Sequence, residues 1–189
     1  IYPKKEIYSH LLGYVNKPSK KDFSLPYISR MPLLNIGQQG IEKIFNEKLV
    51  GKPGNREIEV NASGKIIREI SKKISTKGEN ITLTLDSILQ KYTSNKLLDF
   101  KAGSIVVMNI NNGNILSIVS TPTFDSNLII KKPNYDYWNK LLNDSLSPLN
   151  DRSTQGLYSP GSTFKMIVAI AALTNGIINS ESVFFCNGK

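Results

Sequence analysis

Apolar positions along the chain follow two rhythms, and the switches between them mark the elements. In IGQQGIEKIFNEKLV (36–50), Ile41, Ile44, Phe45 and Leu49 recur at helical spacing. This predicts a helix with one apolar face, ended by Gly51, Pro53 and Gly54. The period then drops to two. In NREIEVNASGKIIREI, Ile58 and Val60 alternate with charged residues, Ser63-Gly64 supplies a turn, and apolar positions return from Ile66 to Ile70, which predicts a hairpin. ITLTLD (81–86) alternates again and ends in Asp86, a good N-cap for a helix from Ser87 to about Leu98. The clearest hairpin signal is GSIVVMNINNGNILSIVS (103–120), two strands rich in Ile and Val around Asn111-Asn112-Gly113-Asn114. Both faces of its first strand are apolar (Ile105 and Val107; Val106 and Met108). That strand is expected in mid-sheet, covered on both sides.

The remaining stretches are less regular. Residues 1–35 predict a short helix around Lys4 to Leu12 and irregular chain up to Pro32. Residues 121–150 hold Pro122, Pro133 and Pro148 and the aromatic group Tyr135, Tyr137, Trp138, read as a loop with a short helix from Trp138 to Leu142. These aromatics suit a substrate groove, but covering a core is the more ordinary use. Near the end, Pro160-Gly161 breaks the chain, Thr163 to Thr174 form a helix, and Asn175-Gly176 ends it. Phe164, Met166, Ile167, Val168, Ile170 and Leu173 run right round that helix. A helix apolar on every side is expected to be buried. Helices and hairpins in mixed order give an α+β chain.

Composition narrows the class without choosing a function. The chain has 189 residues, 40% of them hydrophobic, enough for one good core or for a small domain plus part of a larger one. Net charge is +9, but the lysines come in scattered pairs: Lys4-Lys5, Lys20-Lys21, Lys72-Lys73, Lys131-Lys132. No basic stripe with interleaved aromatics appears, so nucleic acid is not expected as a partner. The apolar run 164–173 is too short to cross a bilayer. There is no internal repeat. His10, the single histidine, has no Cys or carboxylate at ligand spacing, and a structural or surface role is expected rather than metal binding. Cys186, the single cysteine, excludes a disulfide within the chain. Ile1 is not an initiator Met, and the chain reads as a piece of something longer.

One feature carries chemistry. Ser162 opens the last helix and Lys165 follows three residues later, which puts the two side chains on one face with Cβ atoms roughly 5–6 Å apart. Burial of the helix would take Lys165 out of water, and desolvation disfavours an ammonium. A neutral amine beside a hydroxyl can take its proton and make the serine a nucleophile. The helix N-terminus adds N–H donors suited to a developing oxyanion. The competing reading is a lysine that snorkels to the surface. On physical grounds the two readings weigh equally, since Ser-x-x-Lys alone is a weak pattern.

The surrounding sequence tips the balance. NDRSTQGLYSPGSTFKM resembles the active-site segment of penicillin-binding proteins, for which Ser-x-x-Lys is a known motif. GIEKIFNEKLVGKPGNREIEVNASGKIIRE (40–69) resembles the pedestal of the class B members, most of all the elongation-specific kind. IYPKKEIYSHLLGYV and GSIVVMNINNGNILSIVSTPTFD look like the same proteins. The resemblance covers most of the chain in the family's order. It implies a partial pedestal over 1–80 and the N-terminal part of a transpeptidase domain of the serine β-lactamase-like fold over 81–189. It implies a peptidoglycan D,D-transpeptidase of cell-wall elongation that needs no cofactor. Ser162 would attack the penultimate D-Ala carbonyl of a stem peptide with Lys165 as base, and a neighbouring amine would resolve the acyl-enzyme into a cross-link. β-Lactams would acylate the same serine. The expected place is the periplasmic side of a bacterial inner membrane, among elongation-complex membrane proteins that include a glycosyltransferase.

Some residues depart from the family pattern. The family usually has Tyr-Pro-Pro-Gly, and here Ser159 replaces the first proline; Ser153 stands where Ala is common; neither removes a reacting group. The Ser-x-Asn and Lys-Thr-Gly motifs are expected after residue 189 and the anchor before Ile1, so these 189 residues are not expected to turn over substrate by themselves. Cys186 lies where some relatives carry a metal ligand, but a structural or free thiol outweighs that reading. A non-catalytic scaffold that docks a glycosyltransferase is the alternative function. A β-lactamase or β-lactam sensor is disfavoured by the pedestal block.

Overall fold

The computed structural model describes residues 1–20, 22, 28, 34–130 and 134–188. It divides into two compact units, Ile1–Gly156 and Leu157–Lys189.

In the first unit, the centre is a helix laid on a hairpin. Helix α4 (Ser87–Leu97) starts where Asp86 Oδ1 accepts the N–H groups of Ile88 and Leu89, at 2.8 and 3.0 Å. This is the cap that the sequence predicts, and it satisfies donors the first helical turn leaves open. Strands β5 (Gly103–Met108) and β6 (Ile115–Thr121) form the expected antiparallel hairpin, with Ile105 opposite Val119 and Val106 opposite Ile118. Gln90, Thr93 and Leu97 fall at helical spacing on α4 and are the face it buries. Ser117 and Val119 are buried on β6, and α4 packs against that strand.

The interface is partly polar. Gln90 is fully buried and all four of its side-chain hydrogen bonds stay inside the unit. Its Nε2 donates to Ile7 O (3.1 Å) and Ile118 O (2.8 Å); its Oε1 accepts from Ile118 N (2.9 Å) and Ser117 Oγ (3.0 Å). Ser117 Oγ also meets Thr93 Oγ1 at 2.7 Å. One carboxamide thus joins α4, β6 and the 3-10 turn Lys5–Tyr8 near the N-terminus.

That N-terminal segment is fastened along its length. Tyr2 N donates to Asn127 Oδ1 (2.8 Å), and Tyr2 Oη donates to Glu42 (3.0 Å). Burial, and then the Glu42 charge, push the Tyr2 phenol well above its ordinary range. Helix α1 (Ser9–Leu12) ends at Gly13, where φ is +78° and a Cβ would lie 1.9 Å from Gln39 O. Only glycine allows that approach. It brings α1 against the start of α2 (Gly40–Ile44), beside the short antiparallel pair β1 (Val15–Asn16) and β2 (Ile36–Gly37).

His10 is one of these fastenings. Its Nε2 donates to Pro148 O at 2.8 Å, and its ring meets Phe124 edge-on at 5.2 Å. Burial, the largest influence, holds its pKa below the ordinary 6.5; the Pro148 bond and Asp151 push it up, and Arg152 adds to the lowering. The unfolded chain therefore binds the proton more readily. Stability is expected to be full above about pH 6.5 and to fall as pH drops from there towards the lower folded value. Urea midpoints at about pH 7.5 and 5.5 check this; His10→Asn should remove most of the difference, and an unchanged difference would assign it to other groups.

Beyond the centre, several expectations need correction. The predicted 41–49 helix is two short ones, α2 and α3 (Asn46–Val50), meeting at Phe45, while Asn46 Oδ1 accepts Gly37 N–H (2.9 Å). The hairpin of β3 (Asn55–Val60) and β4 (Ile66–Lys73) is present, with bulges after Glu57 and Glu59. Its residues are exposed apart from Glu59, and its Arg56–Glu69 and Arg68–Glu59 ion pairs lie on the surface. Segment 81–86 alternates but is no strand: Asp86 N reaches Leu116 O (2.9 Å), whereas Thr84 reaches Ile115 O through its side chain (2.7 Å), so no ladder forms. Strand β5 is not in mid-sheet. It pairs with β6 alone among the described residues, and Val106 and Met108 are exposed. The aromatic segment holds α5 (Ser126–Ile130) and α6 (Tyr135–Asn143), the latter capped by Asn134 Oδ1 on Tyr137 N (3.1 Å) and longer than predicted.

The second unit consists of a 3-10 turn, Gly161–Thr163, running into α7 (Phe164–Thr174), followed by turns and irregular chain. Among the described residues no helix is long and apolar enough to cross a membrane.

Candidate active site

Local sequence explains how Ser162 is presented. Gly161 takes φ +53°, in the left-handed region that a side chain disfavours. Pro160 O accepts both Thr163 N (3.3 Å) and the Thr163 hydroxyl. The backbone therefore turns sharply at 160–161 and enters a helix at once. Ser162 lies within the 3-10 turn rather than at an N-cap, and α7 begins two residues after it. No acceptor takes the Ser162 N–H among the described residues. It is a free donor at a helix start, where partial positive charge collects.

Lys165 is the second residue of α7, three after Ser162. Both side chains are exposed, and no hydrogen bond joins them. The burial expected of this helix is corrected by the structure. Phe164, Met166, Ile167, Val168, Ile170 and Leu173 are 48% to 66% exposed, and Lys165 stands among them in contact with solvent. The reason is mechanical: a helix is covered only by other elements, and among the described residues of this unit the 3-10 turn that leads into it is its only companion. Spacing and the helix start are therefore present, whereas desolvation of the lysine is not supplied by these residues.

A polar knot ends the first unit, and it was not singled out from the sequence. The buried Asp151 carboxylate accepts from Ser153 N (3.0 Å), Ser153 Oγ and Thr154 Oγ1 (2.9 Å). Arg152 N donates to Ser120 Oγ (3.0 Å), and its guanidinium donates to the carbonyls of Leu146 and Ser147. Asp-x-Ser-Thr is a side-chain-to-backbone turn pattern, the signal that could have found it. Cys186 is exposed, and no group of three His, Cys, Asp or Glu suited to a metal occurs among the described residues.

The penicillin-binding protein dimerisation domain matches residues 1–83, and the penicillin binding protein transpeptidase domain matches residues 103–189. The peptidoglycan D,D-transpeptidase MrdA of Escherichia coli K12 is 36% identical over 192 residues, covering 99% of this chain and 30% of that protein. MrdA of Haemophilus influenzae is 36% identical over 188 residues, covering 97% of this chain and 29% of that protein. Among solved structures, the penicillin-binding protein PBP2 of Helicobacter pylori in complex with MreC superposes with a TM-score of 0.84 at 29% identity, covering 99% of this chain and 36% of that one. PBP2 of Pseudomonas aeruginosa in complex with WCK 5153 gives 0.79 at 28% identity, over 100% of this chain and 39% of that one. The chain thus spans about a third of the length of the relatives it matches. Two family domains in the family's order, most of the chain aligned with MrdA, and a shared mixed fold lead to one conclusion: the chain belongs to the penicillin-binding proteins.

Proposed function

We propose that the chain is part of a peptidoglycan D,D-transpeptidase of cell-wall elongation, with Ser162 as nucleophile and Lys165 as its base. The observation that carries this is the Tyr158-Ser159-Pro160-Gly161-Ser162-Thr163-Phe164-Lys165 segment, folded as a sharp turn into a helix, within a chain whose curated relatives are named peptidoglycan D,D-transpeptidases. The serine hydroxyl would add to the penultimate D-Ala carbonyl as Lys165 takes its proton, with the Ser162 N–H facing the oxyanion. Collapse would expel D-Ala and leave an acyl-serine. Attack by a neighbouring stem's amine would then release the serine and complete the cross-link. Covering of α7 by further parts of a transpeptidase domain would supply the desolvation that keeps the amine neutral.

In this reading residues 1–80 are the pedestal and 81–189 the start of the transpeptidase domain. β-Lactams acylate the same serine. The protein works on the periplasmic side of the inner membrane. A MreC-type protein and a glycosyltransferase of the elongation machinery are its partners; the Helicobacter pylori relative is seen with MreC.

A chain of the relatives' length that carries these residues tests the reading. Incubated with a fluorescent penicillin, it is expected to give a covalent band, and Ser162→Ala is expected to abolish it. An unlabelled wild type, folded by its circular dichroism, would favour the non-catalytic scaffold instead.

A further inference from the structure

Between the β1–β2 pair and helices α5 and α6 lies a cleft of about 330 Å3, a size in the range of small-ligand sites. The rings of Tyr14, Tyr135, Tyr137 and Trp138 line it. Besides the tyrosine hydroxyls, its polar side chains are the carboxamides of Asn16, Gln38 and Asn134, and among the described residues none that lines it carries a charge.

The structure holds these groups in defined roles. Tyr14 and Trp138 meet edge-on at 6.2 Å. The Tyr137 hydroxyl accepts Asp125 N–H at 2.8 Å, which fixes that ring. Asn134 Oδ1 is occupied by Tyr137 N–H, and Asn16 Oδ1 by Lys17 N–H at 2.8 Å, so each amide keeps its Nδ2 donors for a ligand. The Gln38 carboxamide and Trp138 Nε1–H have no partner among the described residues.

This combination is selective. Among the described lining residues an ionic ligand would find no counter-charge, and burying it without one would cost several kcal/mol. A purely apolar ligand would take water from the carboxamides without replacing their hydrogen bonds. A ligand that fits has flat C–H faces for the rings and neutral hydroxyl and amide edges for the carboxamides. We propose that this cleft binds an uncharged acetamido-pyranose, one sugar unit of a glycan. The assignment follows from the cleft's chemistry and does not require Ser162 to be catalytic. If the proposed function holds, the natural source is the glycan strand that carries the stem peptides, gripped by the protein apart from its peptide chemistry.

Trp138 is the only tryptophan of the chain and reports from inside the cleft. The probe is chitotetraose, an oligomer of N-acetylglucosamine, with maltotetraose as the control that lacks acetamido groups. Chitotetraose is expected to change the Trp138 emission saturably and to show saturation-transfer NMR signals from its acetyl protons. Maltotetraose should bind at least about tenfold more weakly. Tyr135, 70% exposed, contributes little to folding. Tyr135→Ala should therefore keep the wild-type urea transition while weakening chitotetraose at least about fivefold. Absence of a saturable response to chitotetraose, equal binding of maltotetraose, or an unaltered Tyr135→Ala would each overturn the proposal. Loss of sugar binding with penicillin labelling intact removes this cleft alone; the converse removes only the proposed reaction.

Discussion

Lys165→Ala is expected to slow acylation of Ser162 by about 10²–10⁴-fold, the usual contribution of a positioned general base. The serine hydroxyl is a poor nucleophile while it keeps its proton, and no histidine is near in sequence: His10, the only one, is already spent on Pro148 O. The base three residues on is Lys165, in the first turn of the helix that follows. The decisive comparison is Lys165→Arg. It keeps the positive charge and the donors, but a guanidinium does not deprotonate in proteins. If Lys165 works as a base, Arg is expected to fail almost as badly as Ala; if it merely attracts a carboxylate, Arg should restore most of the rate. The measurement is the second-order rate constant for fluorescent penicillin with a chain of the relatives' length, followed across pH. An Ala variant within about threefold of wild type would remove Lys165 from the chemistry. The exposure of α7 gives this experiment its point: spacing alone puts Lys165 three residues after the serine, and only covering of the helix would make its amine a base.

The gap between sequence and structure has the same physical origin at several places. Elements that depend on local chemistry were legible. Asp86 caps α4 because a carboxylate followed by a free helical turn has one good arrangement, and the Asn-Asn-Gly-Asn turn closes β5 on β6 at the predicted place. Burial is decided by the covering partner, which local sequence does not name. Leu97 and Val119 are inside because α4 and β6 cover one another. The apolar surround of α7 and the second face of β5 state a need for cover that these residues do not meet. Alternation in 81–86 failed differently: a strand is made by a partner's ladder, and one side-chain contact with one backbone bond is not a ladder. Ser162 and Lys165 were legible because helical spacing is local, whereas Gln90 and Asp151 were not. A buried polar side chain is known by its partners, which for Gln90 come from residues 7, 117 and 118.

Gln90→Ala is expected to be the most damaging single change to the first unit. The residue is fully buried, and its carboxamide makes four hydrogen bonds, three of them to backbone atoms. Truncation leaves Ile118 N–H without that acceptor and the carbonyls of Ile7 and Ile118 without that donor. Each buried polar group so stranded costs about 1–3 kcal/mol, and a cavity is added where the side chain stood. A loss of about 3–5 kcal/mol follows, a large share of the ~5–15 kcal/mol that holds an ordinary domain together. Gln90→Glu separates shape from hydrogen bonding. It has nearly the same outline but replaces the donating Nε2 with an oxygen, which would face two carbonyl oxygens and bring an unpaired charge into the core; it should therefore be no better than Ala. Gln90→Met keeps length and apolar packing while giving up all four bonds, and should fall between wild type and Ala. Urea midpoints by circular dichroism rank the three variants. If Met matches wild type, the node is packing rather than hydrogen bonding. If all three lie within about 1 kcal/mol of wild type, the N-terminal segment is not held to the hairpin through this carboxamide, and Tyr2 and His10 must hold it instead.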